Sequence, residues 1–445
     1  MRYPAAAVNS TPSAPGGRRA LAIVLATLLL DTMGFGIVAP VMPDLIVELT
    51  GLSLGEAARA SGWLMGTFAA MQALFGPVMG GLSDRFGRRP VLLFCLAAFG
   101  LDYLVMGLAP TFGWLFASRA VAGVAGASFV PASAYIADIT PPERRARNYG
   151  LIGAMFGLGF TLGPAIGGLL GSHGTRAPFF FAGGLALVNA ALGGFLLPES
   201  LPADRRRPFR LARANPLGTF AALARYRGAL PLFAAWFLWM LAHQSYPSTW
   251  AFYTQLRFGW SEHAIGLSLS LAGFSMAVSQ ALLTPRLVPA LGERRAILLG
   301  LSVGLAGFLA TALVPQGWML YPVMALFALQ SLVFPSMNSA LSRAVAATEQ
   351  GELQGAVASL QSVAAILAPP LLTGAFAHFS REGAAPRVPG APYLLAAACA
   401  AGAIAIVATV AGRLFARAAA ARAGAAPAGG AAPPAASGDR TTAPS

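Results

Sequence analysis

Long apolar stretches alternate with short polar ones along almost the whole chain. Twelve of these stretches are long enough to cross the hydrocarbon core of a bilayer, which requires about 20 mostly apolar residues in a helix. The pattern therefore predicts an all-α membrane protein with twelve transmembrane helices. The stretches fall at about 19–40, 61–79, 90–109, 112–136, 149–170, 179–197, 230–253, 261–284, 296–314, 318–341, 355–379 and 392–412.

The polar segment after the sixth stretch divides the pattern in two. Residues 198–227 are rich in arginine and proline, which is typical of a cytoplasmic linker. Two six-helix halves are what an alternating-access transporter requires, because its central site lies between them near the middle of the bilayer. We therefore predict a cytoplasmic N-terminal tail at 1–18, an N-terminal half at 19–198, a linker at 199–229, a C-terminal half at 230–415, and a disordered tail rich in Ala, Pro and Gly at 416–445.

Composition and charge agree with a membrane protein. Of the 445 residues, 56% are hydrophobic and 10% are charged, whereas a soluble domain carries about 25% charged residues. The net charge of +14 comes from arginine without any lysine, and the arginines lie mostly between the apolar stretches. With both termini in the cytoplasm, 24 of the 30 arginines are cytoplasmic, as the positive-inside rule requires. The charge therefore indicates membrane topology, and nucleic acid is not an expected partner.

The most specific polar segment joins the second and third stretches. It reads G-G-L-S-D-R-F-G-R-R and occupies residues 80–89. Its glycines allow a tight turn, and its arginines retain it in the cytoplasm. We predict a cytoplasmic gate formed by Gly80, Asp84, Arg85, Gly87, Arg88, Arg89 and, at the end of the fourth stretch, Asp138. The alternatives are a topology signal alone and, for Asp138, a plain helix-end charge.

A weaker copy of this segment lies between the eighth and ninth stretches. It reads L-G-E-R-R-A-I-L-L at residues 291–299 and retains the glycine and the paired arginines, but not the aspartate. Its position favours two repeated halves.

Three charged residues fall well inside apolar stretches, away from their ends, where a charge is costly and is therefore a functional candidate. Asp31 lies near the middle of the first stretch, Asp102 lies in the third and Arg119 lies in the fourth. Burial and a cationic partner shift a carboxyl pKa in opposite directions, so such a group can bind and release a proton as access alternates. We predict that these three residues couple transport to protons, with Arg119 as the candidate partner of Asp31. The alternative is a static buried ion pair.

The fifth stretch contains the closely spaced small residues Gly159, Gly163, Pro164, Gly167 and Gly168. Glycines allow close helix contact, and the proline removes one backbone hydrogen bond. The alternative is the ordinary packing of membrane helices, in which Gly and Pro are common.

These motifs together resemble those of the major facilitator superfamily in kind, order and spacing. Residues 80–89 are similar to its loop between helices 2 and 3. Residues 119–126, R-A-V-A-G-V-A-G, resemble its helix 4 motif, whose arginine is implicated in proton coupling, and residues 159–168 resemble the helix 5 motif of its antiporters.

Further segments look like those of tetracycline/proton antiporters. The segment L-D-T-M-G-F-G-I-V-A-P-V-M-P at 30–43 is the clearest, and 81–93, 101–104, 135–138 and 257–260 are similar as well. The resemblance covers about 20–417 and is strongest in the N-terminal half. It implies a drug/proton antiporter that exports tetracycline-like compounds, with the proton gradient as its energy source and no cofactor.

The chain departs from that family in its C-terminal half. Some tetracycline exporters carry a histidine in helix 8 and an aspartate in helix 9 that serve coupling. The matching positions here are Met276 and Gly304. Coupling must therefore depend on the N-terminal charges, and metal-chelated tetracycline is a less secure substrate.

Polar residues within the apolar stretches are candidates for a substrate cavity, because each can form hydrogen bonds with a ligand. Interhelical hydrogen bonding is the alternative for each of them. His243 is the best histidine candidate, since it lies deep in the seventh stretch beside Gln244. The full set is Gln72, His243, Gln244, Gln280, Gln330, Asn338 and Gln361.

Other classes of protein are less consistent with the sequence. The four histidines and two cysteines have no spacing typical of a metal or haem site, and no Walker sequence for ATP occurs. An enzyme would need a clustered nucleophile, base or metal set. We expect a monomeric exporter in the lipid bilayer, with a drug and protons as its partners. The alternative function is a proton-coupled or facilitative transporter of a metabolite or sugar.

Overall fold

A computed structural model describes residues 17–126, 129–209, 228–343, 345 and 349–424. Within these residues all regular secondary structure is helical, and there is no strand. Ten of the helical segments are long and apolar enough to cross a membrane, and α2 and α7 complete twelve crossings. The helices are α1 (Gly17–Val38 and Met42–Thr50), α2 (Leu54–Phe86), α3 (Arg88–Leu108), α4 (Phe112–Ala125 and Phe129–Ile139), α5 (Arg145–Gly171), α6 (Ala177–Leu196), α7 (Leu230–His243 and Ser245–Phe258), α8 (Glu262–Val278 and Thr284–Leu291), α9 (Glu293–Leu313), α10 (Leu320–Phe327 and Val333–Arg343), α11 (Gln350–Ser380) and α12 (Ala391–Gly424).

Prolines explain where single crossings are interrupted. Pro40 lies within the 3-10 turn Ala39–Val41 of α1 and Pro43 follows that turn, while Pro247 follows the break in α7. A proline has no backbone N–H to donate to the preceding turn, so the helix loses a hydrogen bond at that point. In α8 the π-helical turn Ser279–Leu283 comes just before Pro285.

α2 begins well before the apolar stretch from which it was predicted. Ser53 caps its first turn by accepting a hydrogen bond from the Glu56 backbone N–H, and the Glu56 side chain accepts one from the Ser53 backbone in return. This capping box satisfies two backbone donors that a helix start leaves unpaired. A short polar segment therefore extends the helix beyond its apolar part.

α12 extends past residue 415, where the C-terminal half was predicted to end. The helix continues to Gly424. The segment is dominated by alanine with spaced arginines, both of which favour helix. Residues 1–16 and 425–445 lie outside the described part, as do the linker residues 210–227.

The two sets of six helices are packed alike. α1 packs on α5 and α6 while α3 packs on α6, and correspondingly α7 packs on α11 and α12 while α9 packs on α12. The two halves meet where α2 packs on α11 and α5 packs on α8. We call the end of the bundle that contains the Gly87 turn between α2 and α3 the motif end, and the end that contains the turn at 51–53 the far end.

Close contacts between small residues join the halves toward the far end. A Cβ on Gly62 of α2 would clash with Thr373 of α11, and one on Gly66 would lie 3.0 Å from the Ile366 carbonyl oxygen. A Cβ on Gly168 of α5 would lie 2.5 Å from the Glu262 carbonyl oxygen of α8. Backbones that approach this closely have no space for larger side chains, so the far end is packed shut.

Candidate functional site

At the motif end, charged side chains from α2, α3 and α4 form a network. Arg88 lies 2.5 Å from Asp84 and 3.3 Å from Asp138, and it donates a 2.7 Å hydrogen bond to the Ser83 hydroxyl. Three of the predicted gate residues are therefore brought together around one guanidinium. Arg85 is exposed and lies over the Phe86 ring.

Glu199, which was not among the predicted gate residues, completes this network. Its carboxylate accepts hydrogen bonds from the backbone N–H of Arg88 at 2.8 Å and from those of Ser200 and Leu201 at 3.0 Å. It thus binds the N-terminus of α3, where unpaired N–H groups and the helix dipole favour a negative charge. The available signal was the lone acid in Pro198-Glu199-Ser200, directly after an apolar stretch.

Gly87 and Arg89 fix the position of the loop against α6. Gly87 has φ +108°, and a Cβ there would collide with the Glu199 carboxylate. Arg89 donates a hydrogen bond to the Gly194 carbonyl oxygen. The start of the linker covers the same loop, because the Arg207 N–H donates to the Asp84 carbonyl oxygen at 3.0 Å and the Phe209 ring packs against Gly81.

A buried ion pair joins α3 and α4 in the interior of the N-terminal half. Asp102 and Arg119 form a salt bridge, with side chains only 4% and 9% exposed. The Arg119 guanidinium also lies over two rings, 5.4 Å from the Phe68 centroid and 5.8 Å from that of Tyr103. Desolvated cation–π contacts of this kind help to hold a buried cation.

Tyr103 connects this pair with α1. A Cβ on Gly34 would lie 3.1 Å from the Tyr103 ring, and Asp31 is one helical turn before Gly34. The ring of Tyr103 therefore lies between the Asp31 region of α1 and Arg119. The partner that the structure gives to Arg119 is Asp102.

The glycines of α5 have two different neighbours. A Cβ on Gly159 would lie 2.6 Å from Thr32, one on Gly163 would lie 2.6 Å from the Met33 carbonyl oxygen, and one on Gly167 would collide with Ile37, so these three face α1. Gly168 and the Pro164 carbonyl instead meet α8 of the other half, at Glu262 and Gly266. The motif thus packs α5 on both sides at once, while α5 remains one continuous helix through Pro164.

In the C-terminal half, an aromatic ring covers the position of Gly304. The Trp239 side chain is 2% exposed and lies directly against Gly304, with one ring atom 2.6 Å from where a Cβ would be. Around it, the Tyr246 hydroxyl is 2.8 Å from the Thr311 hydroxyl, and the Tyr253 hydroxyl donates to the Thr311 carbonyl oxygen at 2.6 Å. This interior is filled by neutral aromatic side chains.

The predicted cavity residues do not form one cluster. Gln72 donates a 2.6 Å hydrogen bond to the Gly126 carbonyl oxygen, where α4 is interrupted. The ring nitrogen Nε2 of His243 lies 3.5 Å from the Gln330 amide nitrogen, and Asn338 accepts from Gln354 at 3.0 Å. Gln280 is exposed on the π-helical turn of α8, while Gln244 at the break of α7 and Gln361 on α11 are partly buried.

Two repeated halves that meet over small residues, with buried charges in one of them, define a multi-pass membrane transport protein. Residues 24–369 match the model of the Major Facilitator Superfamily. The tetracycline resistance protein, class C, of Escherichia coli is 40% identical over 80% of this chain and 90% of that protein, and multidrug resistance protein 2 of Bacillus subtilis is 30% identical over 78% and 86%. Among solved structures, the human organic anion transporter MFSD10 aligns over 88% of this chain and all of that chain at 24% identity, with a TM-score of 0.66. The chain belongs to the Major Facilitator Superfamily, in the branch that contains the tetracycline resistance proteins.

Proposed function

We propose that this protein exports tetracycline-like or other amphipathic drugs across the bacterial cytoplasmic membrane in exchange for protons. The observation that carries the proposal is the Asp102–Arg119 pair, buried next to Tyr103 and α1, in a chain 40% identical to a tetracycline resistance protein. The identity to a multidrug resistance protein supports a wider range of drugs. A metabolite or sugar transporter is the less favoured reading.

In this proposal the proton-coupling residues are Asp31, Asp102 and Arg119. An ion pair in a dry interior is stable only while both members are charged, because an unpaired buried charge is costly. Protonation of the Asp102 carboxyl would therefore release Arg119 to a new partner. Asp31 is the other acid among the proposed coupling residues. It lies on the other side of the Tyr103 ring, and in this proposal it is the new partner of Arg119. The coupling lies in the N-terminal half, since Trp239 covers Gly304 in the other half.

We assign gating at the motif end to the network around Arg88. Asp84, Asp138 and Glu199 all bind the loop that begins α3, so α2, α3, α4 and α6 move as one body there. The glycines of α5 would let this body rotate against α8 of the other half. The predicted cavity residues remain candidates for substrate contacts.

We also propose an orientation in the membrane and an energy source. The arginine-rich motif end faces the cytoplasm, as do both termini, because short arginine-rich loops stay on that side. The proton gradient drives transport without a cofactor, and a monomer is sufficient because one chain contains both halves.

The test is tetracycline uptake into inverted membrane vesicles that contain the protein, with and without an imposed pH gradient. We expect accumulation that collapses when an uncoupler is added. Asp31→Asn should abolish this accumulation without lowering the amount of protein in the membrane, whereas Asp204→Asn, an exposed acid of the linker, should leave it unchanged. Wild-type accumulation in Asp31→Asn would remove Asp31 from the coupling mechanism. No accumulation by the unmodified protein would exclude tetracycline as its substrate.

A further inference from the structure

A groove at the far end lies between the start of α2 and the end of α11, and therefore between the two halves. It encloses about 360 Å³. Its charged and polar lining comes from both helices, with Glu56 and Arg59 on α2, His378 near the end of α11 and Arg381 directly after it. Side chains of both halves thus meet in one open space.

The two arginines of this groove have no counter-ion. Both are exposed, and none of the ion pairs formed by the described residues includes either of them. The Arg381 guanidinium donates to Nδ1 of His378 at 3.0 Å, which leaves the ring proton on Nε2 as a further donor. The carboxylate of Glu56 already accepts from the backbone N–H and the hydroxyl of Ser53, and Glu382 does not line the groove. The groove therefore has a net positive charge and several donors, which is the chemistry that binds a phosphate group.

An apolar strip continues from the groove toward the motif end. Trp63, one turn after Arg59, lines the groove and is 56% exposed. On α11, Leu371 and Leu367 are each 52% exposed, and Leu371 lies about two turns before His378. Tryptophan is enriched at the interface between membrane and water. The surface is therefore cationic at the far end and apolar beside it, which suits an amphipathic ligand.

The lengths of the two helices place the groove at the level of the lipid head groups. α2 contains 33 residues and α11 contains 31, so they are about 50 and 46 Å long, whereas the hydrocarbon core is about 30 Å thick. Arg59 is the sixth residue of α2, and Arg381 follows the last residue of α11. With the core centred on these helices, both arginines lie outside it, where lipid phosphates are found.

We propose that this groove binds an anionic phospholipid, with the phosphate between Arg59 and Arg381 and the acyl chains along Trp63, Leu371 and Leu367. A free phosphate ion would pair with the arginines but would leave the apolar strip without a partner, so we assign the site to a lipid. On the orientation proposed above, this lipid belongs to the outer leaflet of the cytoplasmic membrane.

The bound lipid favours a closed far end, because one arginine belongs to each half. Beside the groove the two helices are in contact, since a Cβ on Gly55 of α2 would lie 3.7 Å from the Ala377 Cα of α11. Opening the far end would move the two arginines apart and divide the site. A ligand shifts an equilibrium toward the state that it binds more tightly. The lipid should therefore stabilise closure, whatever drug the protein carries.

The first experiment measures lipid binding by native mass spectrometry. Delipidated protein in detergent is titrated with phosphatidylglycerol, and we expect one molecule to bind more tightly than the rest. Arg59→Gln and Arg381→Gln should each weaken this binding about tenfold, because each removes a charged donor to the phosphate. Arg59→Lys and Arg381→Lys keep the charge and should retain most of the affinity.

Arg387→Gln is the matched control, because Arg387 is an exposed arginine of the same far-end segment that does not line the groove. It should bind the lipid as the unmodified protein does. Inorganic phosphate in large excess should not displace the lipid, and displacement would replace the lipid assignment with a site for a free anion. Equal affinity in the unmodified protein and in Arg59→Gln/Arg381→Gln would overturn the proposal.

The second experiment measures closure by double electron–electron resonance. Spin labels at Leu52, in the α1–α2 turn, and at Pro315, in the α9–α10 turn, report the far-end gap; both positions are exposed. The native cysteines Cys95 and Cys399 are replaced by alanine. In liposomes, a larger fraction of phosphatidylglycerol should increase the short-distance population in the unmodified protein but not in Arg59→Gln/Arg381→Gln. The same response in both proteins, or none in either, would exclude closure by this lipid. Neither experiment involves drug transport, so their outcome is independent of the substrate test above.

Discussion

The two halves use the same helical frame but fill equivalent positions with opposite chemistry. Asp102 comes 14 residues after Arg88, the first residue of α3, and Gly307 comes 14 residues after Glu293, the first residue of α9. Arg119 comes 7 residues after Phe112 in α4, and Phe327 comes 7 residues after Leu320 in α10. The salt bridge of one half is therefore replaced in the other by a ring that packs directly against a glycine.

The two loops at the motif end also place opposite charges at equivalent positions, here at the surface. Gly87 and Gly292 both occupy backbone conformations that favour glycine, with φ +108° and +75°, immediately before α3 and α9. In the first loop the cation Arg88 binds the acid Asp138 of α4. In the second loop the acid Glu293 binds the cation Arg343 of α10 at 2.5 Å. The second loop lacks the aspartate of the first, but it keeps a salt bridge with the charges reversed. The acid is now in the loop and the cation is on the helix.

We infer from this difference that the two halves have different roles. Buried charges reduce stability unless they are fully paired, whereas packed aromatic rings add to it. In the proposed mechanism, the N-terminal half contains the buried charges that proton coupling requires. The C-terminal half has the neutral interior expected of a rigid partner.

The largest expected effect comes from breaking the buried ion pair. Asp102→Asn removes the counter-ion that Arg119 has in this structure, which we expect to cost about 3–5 kcal/mol of unfolding free energy. The double variant Asp102→Asn/Arg119→Gln removes both charges and should recover most of that loss, but without proton-driven uptake. SDS unfolding titrations in mixed micelles and the vesicle assay separate the two effects. A single variant as stable as the unmodified protein would contradict the pairing.

Next in size is the contrast between the two loop glycines. Gly87→Ala and Gly292→Ala both force alanine into a conformation that costs about 1–3 kcal/mol. Only Gly87→Ala also displaces the Glu199 carboxylate, because no atom lies within 4 Å of a Cβ at Gly292. Hydrogen bonds to a charged group are worth about 1.5–3 kcal/mol, so Gly87→Ala should be the more destabilising by that amount in the same titration. Equal losses would exclude a stabilising role for Glu199.

A third effect concerns the aromatic interior of the C-terminal half. Gly304→Ala places a methyl group against the buried Trp239 ring, and overpacking of this kind costs about 1–3 kcal/mol. Gly304→Asp adds the burial of a carboxyl group and should be less stable than Gly304→Ala. Gly184→Ala, whose Cβ would meet no atom within 4 Å, serves as the control. Equal stability of Gly304→Ala and Gly184→Ala would show that Trp239 can move aside.

The smallest effect is expected at the motif end of the C-terminal half. The Arg343 side chain is 48% exposed, and exposed salt bridges contribute about 0–1 kcal/mol. Arg343→Gln should therefore change stability by no more than this. Arg88→Gln should cost more, because the Arg88 side chain is only 13% exposed and binds both Asp84 and Asp138. The comparison would fail if the two variants lost equal stability.

Several site residues were predictable as individuals but not as pairs. Asp31, Asp102 and Arg119 stand out because they interrupt apolar stretches, where charges are rare. Their sequence context favoured Arg119 as the partner of Asp31, and the structure pairs it with Asp102. Glu199 was not selected, because it lies at the end of an apolar stretch, where an acid is unremarkable.

The sequence by itself determined the all-helical fold and the repeat of two six-helix halves. A backbone in hydrocarbon must satisfy its hydrogen bonds internally, so an apolar stretch of sufficient length has to be a helix. Only the tertiary structure decided which charges meet. Arg88 binds Glu199 across 111 residues of sequence, and Gln255 binds Asp44 across 211. Such contacts depend on how helices from distant parts of the chain pack together, and the local pattern of apolar and polar residues does not contain that information.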